Sequence, residues 1–228
     1  YYRLGETYIK LKQARDAFQS YARAISANPD NLEAQIKEGQ MLLLAKKTDE
    51  AREKAELILG KSPTNVDGLN LMAGIQLQER DIDSALSSLE KARSLDPENF
   101  NTLLSLARVY LLKKELGKAE ETYLKAISIN PNSRNSYIEL SRLYGAQNKW
   151  EKAENLLKEM VQKSEIEYQG LIVLARFYES RKNWDKAEEA YLKSVNMAPQ
   201  EDVTPLMTLS GYYARRKNYD KALEFIQQ

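Results

Sequence analysis

The sequence predicts an all-α fold in which helical hairpins stack one on the next as a solenoid. Alanines recur at a fixed interval, which is 34 residues between the first six and 35 at the last step. These alanines are Ala17, Ala51, Ala85, Ala119, Ala153, Ala187 and Ala222. Prolines keep the same interval, and Glu165 stands where one further proline would be expected. Such a period is typical of repeat proteins whose units bury one continuous core between neighbours.

The fourth unit shows its two helices most clearly. One helical face is predicted by apolar residues at i, i+3, i+4, i+7 and i+8, namely Leu103, Leu106, Ala107, Tyr110 and Leu111. A second face follows at Leu116, Ala119, Tyr123, Ala126 and Ile127. Pro131 ends this helix because proline cannot continue one. Asn99 or Asn101 is expected to cap the first helix. Each unit is therefore a helix–turn–helix.

This pattern resembles the tetratricopeptide repeat along the whole chain. The first unit reads Tyr1-x2-Leu4-Gly5-x2-Tyr8, then Ala17-x3-Tyr21, Ala24 and Pro29. The fourth and sixth repeat it from Leu103 and from Leu171. The resemblance implies a right-handed superhelix, with the first helix of each unit lining a concave groove. A single solenoid over 1–228 is expected, with units at about 1–31, 32–65, 66–99, 100–133, 134–167, 168–202 and 203–228.

Three places depart from the pattern. The second unit has Gln35, Glu38 and Leu42 at positions that are Tyr1, Leu4 and Tyr8 in the first. Residues 163–167 lack the proline, which is expected to alter that turn, and an extra residue in 200–205 is expected to loosen the last joint. Since the chain starts partway through a first helix and stops late in a second, a fragment of a longer array is expected.

Composition argues against catalysis and against general binding of polyanions. The chain has no histidine and no cysteine, so the commonest general base, thiolate nucleophiles and the commonest metal ligands are missing. Its 34 basic and 33 acidic residues give a net charge of +1, unlike a typical nucleic-acid or anionic-membrane binder. We predict no enzyme activity, no cofactor, no metal, no nucleic-acid partner and no membrane span. The compartment, cytoplasmic or bacterial periplasmic, stays open.

Two further groups are interpreted as structural. Trp150 and Trp184 are 34 residues apart at the start of second helices, where packing requires a bulky apolar residue. The acidic pairs at 120–121 and 188–189 are interpreted as a solvated outer face of the second helices.

The resemblance places the ligand-binding columns on the first helices. The column after the small Gly/Ala position contains Gln40, Arg108, Arg142 and Arg176, and the column four residues earlier contains Ile36, Leu104, Ile138, Ile172 and Met207. An arginine ladder beside an apolar stripe suits an acidic, amphipathic segment. A structural interpretation is equally open, since Glu139 and Glu179 are three residues from Arg142 and Arg176 and can pair with them.

The sequence therefore predicts a non-enzymatic scaffold that binds a protein or peptide segment in the groove. A structural component of a bacterial envelope or exopolysaccharide assembly is the main alternative, and a helical-repeat RNA binder is a weaker one. Self-association through exposed terminal helices is also left open.

Overall fold

A computed structural model describes residues 1–163 and 167–227, and within them the fold is all-α, as predicted. The described residues form fourteen helices: α1 (Tyr2–Lys10), α2 (Ala14–Ala27), α3 (Leu32–Leu44), α4 (Thr48–Lys61), α5 (Val66–Gln78), α6 (Ile82–Leu95), α7 (Phe100–Leu112), α8 (Leu116–Ile129), α9 (Arg134–Ala146), α10 (Trp150–Lys163), α11 (Glu167–Ser180), α12 (Trp184–Met197), α13 (Thr204–Arg215) and α14 (Tyr219–Gln227). They pair into seven hairpins, each with a first (A) and a second (B) helix. The predicted solenoid of helix–turn–helix repeats is confirmed.

The helices gather into two compact units, Tyr1–Thr122 and Tyr123–Gln228, which we call unit 1 and unit 2 and describe separately. Their boundary lies within α8. A single domain over 1–228 stays a prediction. The altered turn expected at 163–167 falls on residues 164–166, which lie outside the described residues.

The recurring alanines of the B helices lie in the core. The first six alanines of the series are fully buried, and Ala222 is 6% exposed. A small residue on the A helix also lets the two helices approach closely: a Cβ added at Gly5 would lie 2.5 Å from Cε1 of Tyr21. Because a larger side chain would overpack this contact, the spacing of small residues determines how closely the helices approach.

A residue in the left-handed conformation reverses the chain between the A and B helices. In the fourth hairpin it is Lys114, with φ of 61°. The next amide, of Glu115, donates to the carbonyl of Tyr110 at 2.8 Å, and the amide of Lys114 donates to that of Leu111 at 3.0 Å. These bonds form a Schellman motif. The equivalent residues with positive φ are Lys12, Lys46, Arg80, Asn148, Lys182 and Lys217. A basic side chain at this position also interacts favourably with the negative, C-terminal end of the A-helix dipole.

Side-chain caps start several A helices. Of the two caps expected for α7, Asn99 accepts from the amide of Thr102 at 3.1 Å, whereas Asn101 lies inside the helix. The longer loop before α13 is held by contacts of its own, since Asp202 accepts from the amide of Thr204 at 2.9 Å and from the hydroxyl of Tyr168 at 2.7 Å. The expected loosening of this joint is therefore opposed by a bond back to α11.

The polar residues of the second hairpin lie in its core. Gln35 and Glu38 are only 3% and 7% exposed. Lys54 on α4 donates to Oε1 of Gln35 at 3.0 Å and forms an ion pair with Glu38 at 2.5 Å. A buried charge is tolerated only where it is paired, so Lys54 compensates the departure from the repeat pattern.

Successive hairpins of unit 2 are joined by a recurring contact of Glu, Tyr and Lys. Oε1 of Glu154 on α10 accepts from the hydroxyl of Tyr178 at 2.9 Å and from Lys186 at 3.2 Å. One repeat later, Glu188 accepts from Tyr213 at 2.6 Å and from Lys221 at 3.0 Å. Glu188 is therefore half-buried and bonded, which corrects the interpretation of this column as merely solvated.

Both tryptophans also lie between hairpins. The guanidinium carbon of Arg181 is 3.8 Å from the ring centroid of Trp150, and that of Arg216 is 4.2 Å from that of Trp184. Each indole is half-buried under an arginine of the next hairpin. Such cation–π contacts add about 0.5–2 kcal/mol to the packing of the ring.

The turn predicts a position-specific response to substitution at Lys114. Lys114→Val should lower the free energy of unfolding by about 1–2 kcal/mol, since a β-branched side chain is strained in the left-handed conformation. Lys114→Asn is the matched control and should be close to neutral, because asparagine tolerates this conformation. Urea unfolding followed by circular dichroism measures both. Equal losses in the two variants would contradict the importance of the turn.

The contact at Glu154 predicts a pH dependence. Hydrogen bonding from Lys158, and further bonds from Tyr178 and Lys186, lower the pKa of Glu154 to about 2 against the opposing effect of burial. Its contribution is therefore fully present above the ordinary pKa of about 4.5 and is lost as the pH falls towards about 2. Between about pH 5 and 3, the urea midpoint should fall more for the wild type than for Glu154→Gln.

The control for this experiment is Glu151→Gln, which removes an exposed carboxylate from the same helix. Its pH profile should follow that of the wild type. Identical profiles for the wild type and Glu154→Gln would show that the carboxylate does not stabilise the joint.

Candidate functional site

The residues predicted to bind a ligand all lie on A helices, but they differ in exposure. Arg108, Arg142 and Arg176 are exposed, as is Met207, at 68%. Gln40, Leu104 and Ile138 are half-buried. The set divides between the two units, with Ile36, Gln40, Leu104 and Arg108 in unit 1 and Ile138, Arg142, Ile172, Arg176 and Met207 in unit 2.

Two members of the apolar stripe are core residues. Ile36 is 6% exposed and packs in a cluster with Leu71 and Ile75, and Ile172 is 7% exposed. This column faces the neighbouring hairpin in part. Packing against that hairpin therefore covers surface that was predicted to bind a ligand. Met207 and, in part, Ile138 keep an accessible apolar side chain.

A cleft of about 580 Å³ opens between α9 and α11 in unit 2, and we call it the α9–α11 cleft. Its lining consists of Ile138, Ser141, Arg142, Gly145, Ala146, Trp150, Leu157, Val173, Arg176, Phe177 and Ser180. The cleft has apolar and aromatic walls with two arginines among its lining residues. Three predicted residues therefore border one cavity.

A second cleft, of about 730 Å³, opens between α11 and α13 and is called the α11–α13 cleft. It is lined by Arg176, Glu179, Ser180, Thr204, Met207, Thr208, Gly211 and Arg215. Gly211 occupies the position of the arginine column in the last hairpin, and a Cβ there would lie 3.3 Å from Nη1 of Arg215. The missing side chain leaves room for Arg215, which reaches back to α11.

Glu179 is held by residues other than Arg176. Arg215 donates to its two carboxylate oxygens from Nε at 2.7 Å and from Nη2 at 3.0 Å, and the hydroxyl of Tyr191 donates at 3.0 Å. Burial opposes ionisation of Glu179, but these bonds and the nearby positive charges outweigh it, and its pKa is lowered. The pairing of Glu179 with Arg176 that the sequence allowed is therefore not formed.

The arginines consequently differ in how far they are neutralised. Arg142 forms the expected ion pair with Glu139 at 2.9 Å while its side chain stays 70% exposed. Arg176 forms neither an ion pair nor a hydrogen bond with any residue in 1–163 or 167–227. Since Arg176 lines both clefts of unit 2, a cation that is near Glu179 but outside any ion pair lies where the two cavities adjoin.

Unit 1 contains a different cavity, which sequence reasoning did not predict. It measures about 720 Å³ and is lined by Ala14, Arg15, Phe18, Gln19, Met41, Leu42, Leu44, Ala45 and Lys47. Leu44 is 84% exposed at the end of α3. None of the predicted site residues borders it.

In unit 2, sequence reasoning missed Trp150, Phe177 and Arg215 as site residues. Both tryptophans follow the repeat, so periodicity identified them as packing residues and concealed that Trp150 also faces a cleft. Arg215 has Ser180 and Ala146 at the equivalent positions of preceding hairpins, so no column marks it. The one available signal was Gly145, a glycine at a position that is Leu111 and Glu179 in neighbouring hairpins.

Two features of residues 1–163 and 167–227 bear on the function class. No helix there is both long enough and apolar enough to cross a bilayer. No group of three or more Asp, Glu, His or Cys side chains there is arranged to hold a metal ion.

Two family models match the sequence, and both are described as tetratricopeptide repeat. One matches residues 2–66 and 138–202, and the other matches residues 76–143. Together they extend over most of the chain. No curated protein sequence matches.

Solved structures of repeat proteins resemble the fold. Pseudomonas aeruginosa pilF is 19% identical, with 94% of this chain and 96% of that chain covered and a TM-score of 0.64. MamA is 21% identical, with 72% and 95% covered and a TM-score of 0.54. The human IFIT1 dimer with m7Gppp-AAAA is 19% identical, with 92% and 57% covered and a TM-score of 0.69. At these identities the likeness shows the fold alone.

Proposed function

Because the chain belongs to the tetratricopeptide repeat family, we propose that it is a non-enzymatic interaction module that binds a protein or peptide segment along its A helices. Proteins of this family are in general non-catalytic scaffolds, and the fold suggests protein partners. The sequence lacks histidine and cysteine, which are the commonest general base and the most reactive nucleophile, and this supports the same function class.

The observation that carries the proposal is the position of Arg176 between two clefts of unit 2. Clefts of about 580 and 730 Å³ can accept side chains of a bound segment. A guanidinium with no carboxylate partner among the described residues offers a planar, charge-assisted contact to an acidic group. The partner is therefore an acidic, amphipathic segment, with Met207 and Ile138 as accessible apolar contacts.

Unit 1 contains three further residues of the predicted binding columns. Arg108 is exposed and Leu104 is half-buried four residues before it on α7. We assign these two residues to the binding face of unit 1 and test them separately from unit 2. Gln40 belongs to the same face as a half-buried polar side chain.

The two alternative functions make different demands on the protein. A component of an envelope assembly would also bind protein. This alternative therefore differs from the proposal in the identity of the partner and not in the kind of binding surface. RNA binding would require a basic surface for the phosphates. The net charge of +1 and the carboxylates of Glu139 and Glu179 beside the arginines favour a protein segment.

A site-specific photocrosslinker tests where the partner binds. With benzoylphenylalanine in place of Met207, an extract of the native host should yield a crosslinked protein, because this side chain is exposed beside the α11–α13 cleft. The matched control replaces Glu189, which is exposed on the B helix α12. Equal crosslinking from both positions would contradict binding along the A helices.

Removal of the arginines should weaken binding of the captured partner without unfolding the protein. The double variant Arg142→Ala/Arg176→Ala removes two charge-assisted contacts, each of which contributes about 1–2 kcal/mol, so affinity should fall at least about tenfold. Arg108→Ala is measured alongside to assess unit 1 alone. Isothermal titration gives the affinity and circular dichroism the helicity. Unchanged affinity in the double variant would refute the assignment to unit 2.

A further inference from the structure

The α9–α11 cleft has an aromatic wall that the repeat pattern does not require. Trp150 and Phe177 both line it, and both are half-buried, so part of each ring is accessible. Arg181 packs over the indole with 3.8 Å between its guanidinium carbon and the ring centroid. This contact with the next hairpin restrains the ring and presents a preorganised surface to the cavity.

Gly145 lets the indole pack directly against α9. A Cβ added at this position would lie 2.8 Å from Cζ3 and 3.4 Å from Cη2 of Trp150, closer than ordinary contact. Neighbouring hairpins have Leu111 and Glu179 at the same position. Among the described hairpins, the fifth therefore combines a large ring at the start of its B helix with a glycine against which the ring packs.

Cationic groups stand beside this apolar cavity. Arg142 stays 70% exposed in its pair with Glu139, and Arg176 has no ion pair within the described part of the chain. Glu179, the acid nearest to Arg176 along α11, is occupied by Arg215 and Tyr191. A ligand that fits this site therefore carries a negatively charged group next to an apolar group.

We propose that the α9–α11 cleft is an anchor subsite for one aromatic or long aliphatic side chain of the bound segment. The side chain packs against Trp150 and Phe177, and Arg176 binds an aspartate or glutamate of the same segment within four residues of the anchor. This inference rests on the proposed function, since it specifies the segment that the A helices bind. Residues three or four apart lie on one face of a helix, and residues two apart share one face of an extended strand, so either conformation fits.

A nucleotide could in principle use the same groups, with its base on Trp150 and its phosphate on Arg176. Charge favours the peptide. The carboxylates of Glu139 and Glu179 lie close to the two arginines, and they repel a polyanion more strongly than a single carboxylate. Binding of RNA is therefore an outcome that the experiment has to be able to reveal.

The test begins with a phage-displayed library of random 12-residue peptides selected against the intact chain. Enriched peptides should contain an aromatic or long aliphatic residue within four positions of Asp or Glu. One such peptide, synthesised, is then the probe. In the Trp184→Phe variant, Trp150 is the sole tryptophan, and its emission should shift to shorter wavelength when the probe binds.

Three variants then locate the subsite. Gly145→Ala should reduce affinity for the probe at least tenfold because the added methyl displaces the indole into the cleft. Phe177→Ala removes one wall of the cleft without adding atoms and should produce a similar loss of affinity. This variant tests the subsite if Gly145→Ala proves unstable. Arg176→Ala should also reduce affinity about tenfold, and the loss should disappear when the acidic residue of the probe is replaced by its amide.

Matched controls separate this subsite from general damage. Gly117→Ala adds the same methyl on the B helix α8, where no atom lies within 4 Å of the new Cβ, and should leave affinity for the probe within twofold. Arg23→Ala removes one exposed arginine from a B helix and should have no effect. Circular dichroism at the titration temperature confirms that every variant is folded.

The possible failures are distinguishable. Enriched peptides that lack the acidic and apolar pair, or that bind Gly145→Ala, Phe177→Ala and Arg176→Ala as tightly as the wild type, would overturn the anchor subsite while leaving a peptide-binding function intact. If no peptide were enriched and crosslinking at Met207 captured no protein, the proposed function would fail together with the subsite. Displacement of the probe by mixed single-stranded RNA at low salt would reassign the cleft to a nucleotide.

Discussion

The fold depends on the close contact of the two helices of a hairpin, which the small, buried alanine of each B helix permits. A side chain of one methyl lets the helix axes approach closely, and the larger neighbours then interdigitate around it. Tyr21, Tyr123 and Tyr191, four residues after an alanine, are fully buried. The turn has to deliver the B helix at the correct height and angle for this contact, and the left-handed residue with its Schellman bonds does so in every hairpin of the described chain. The alanine and the turn are therefore two parts of one constraint.

Stacking follows from the same constraint. A hairpin has apolar surface left after its own helices meet, and only the next hairpin can cover it, so stability is distributed as nearest-neighbour contacts. In unit 2 these contacts are directional as well as apolar: Glu154 and Glu188 each accept a tyrosine hydroxyl and a lysine from the following hairpin. A bond that requires a specific distance between hairpins limits how far one can rotate against the next. Such restraint preserves the shape of a surface that is assembled from several hairpins.

Periodicity predicted the parts of the structure that depend on position within a repeat. The helix–turn–helix units, the buried alanines, Asn99 as one of two expected caps and the location of the arginines on A helices all follow from a 34-residue interval and helical spacing. It could not predict pairings between residues that occur only once. Glu179 has Arg176 three residues away in sequence, yet Arg215 takes both of its carboxylate oxygens because Gly211 leaves space for it. Likewise, Lys54 on the adjacent helix donates a hydrogen bond to Gln35 and forms an ion pair with Glu38. Ile36 and Ile172 were misjudged because a column shared by all repeats does not show how much of it the next hairpin covers.

The candidate site lies where the repeat pattern is interrupted, and there is a physical reason for this. A position that packing requires in every hairpin cannot vary without loss of stability, so it cannot be adapted to a ligand. Gly145 and Gly211 each lack a side chain on the A-helix face, and in each case a large neighbour takes up the space, Trp150 in one case and Arg215 in the other. Removing atoms at a half-buried position costs the core little, whereas a change of size at the buried alanine would not be tolerated. The array thus keeps its periodic residues for stacking, and the irregular residues of the A helices are free to provide specificity.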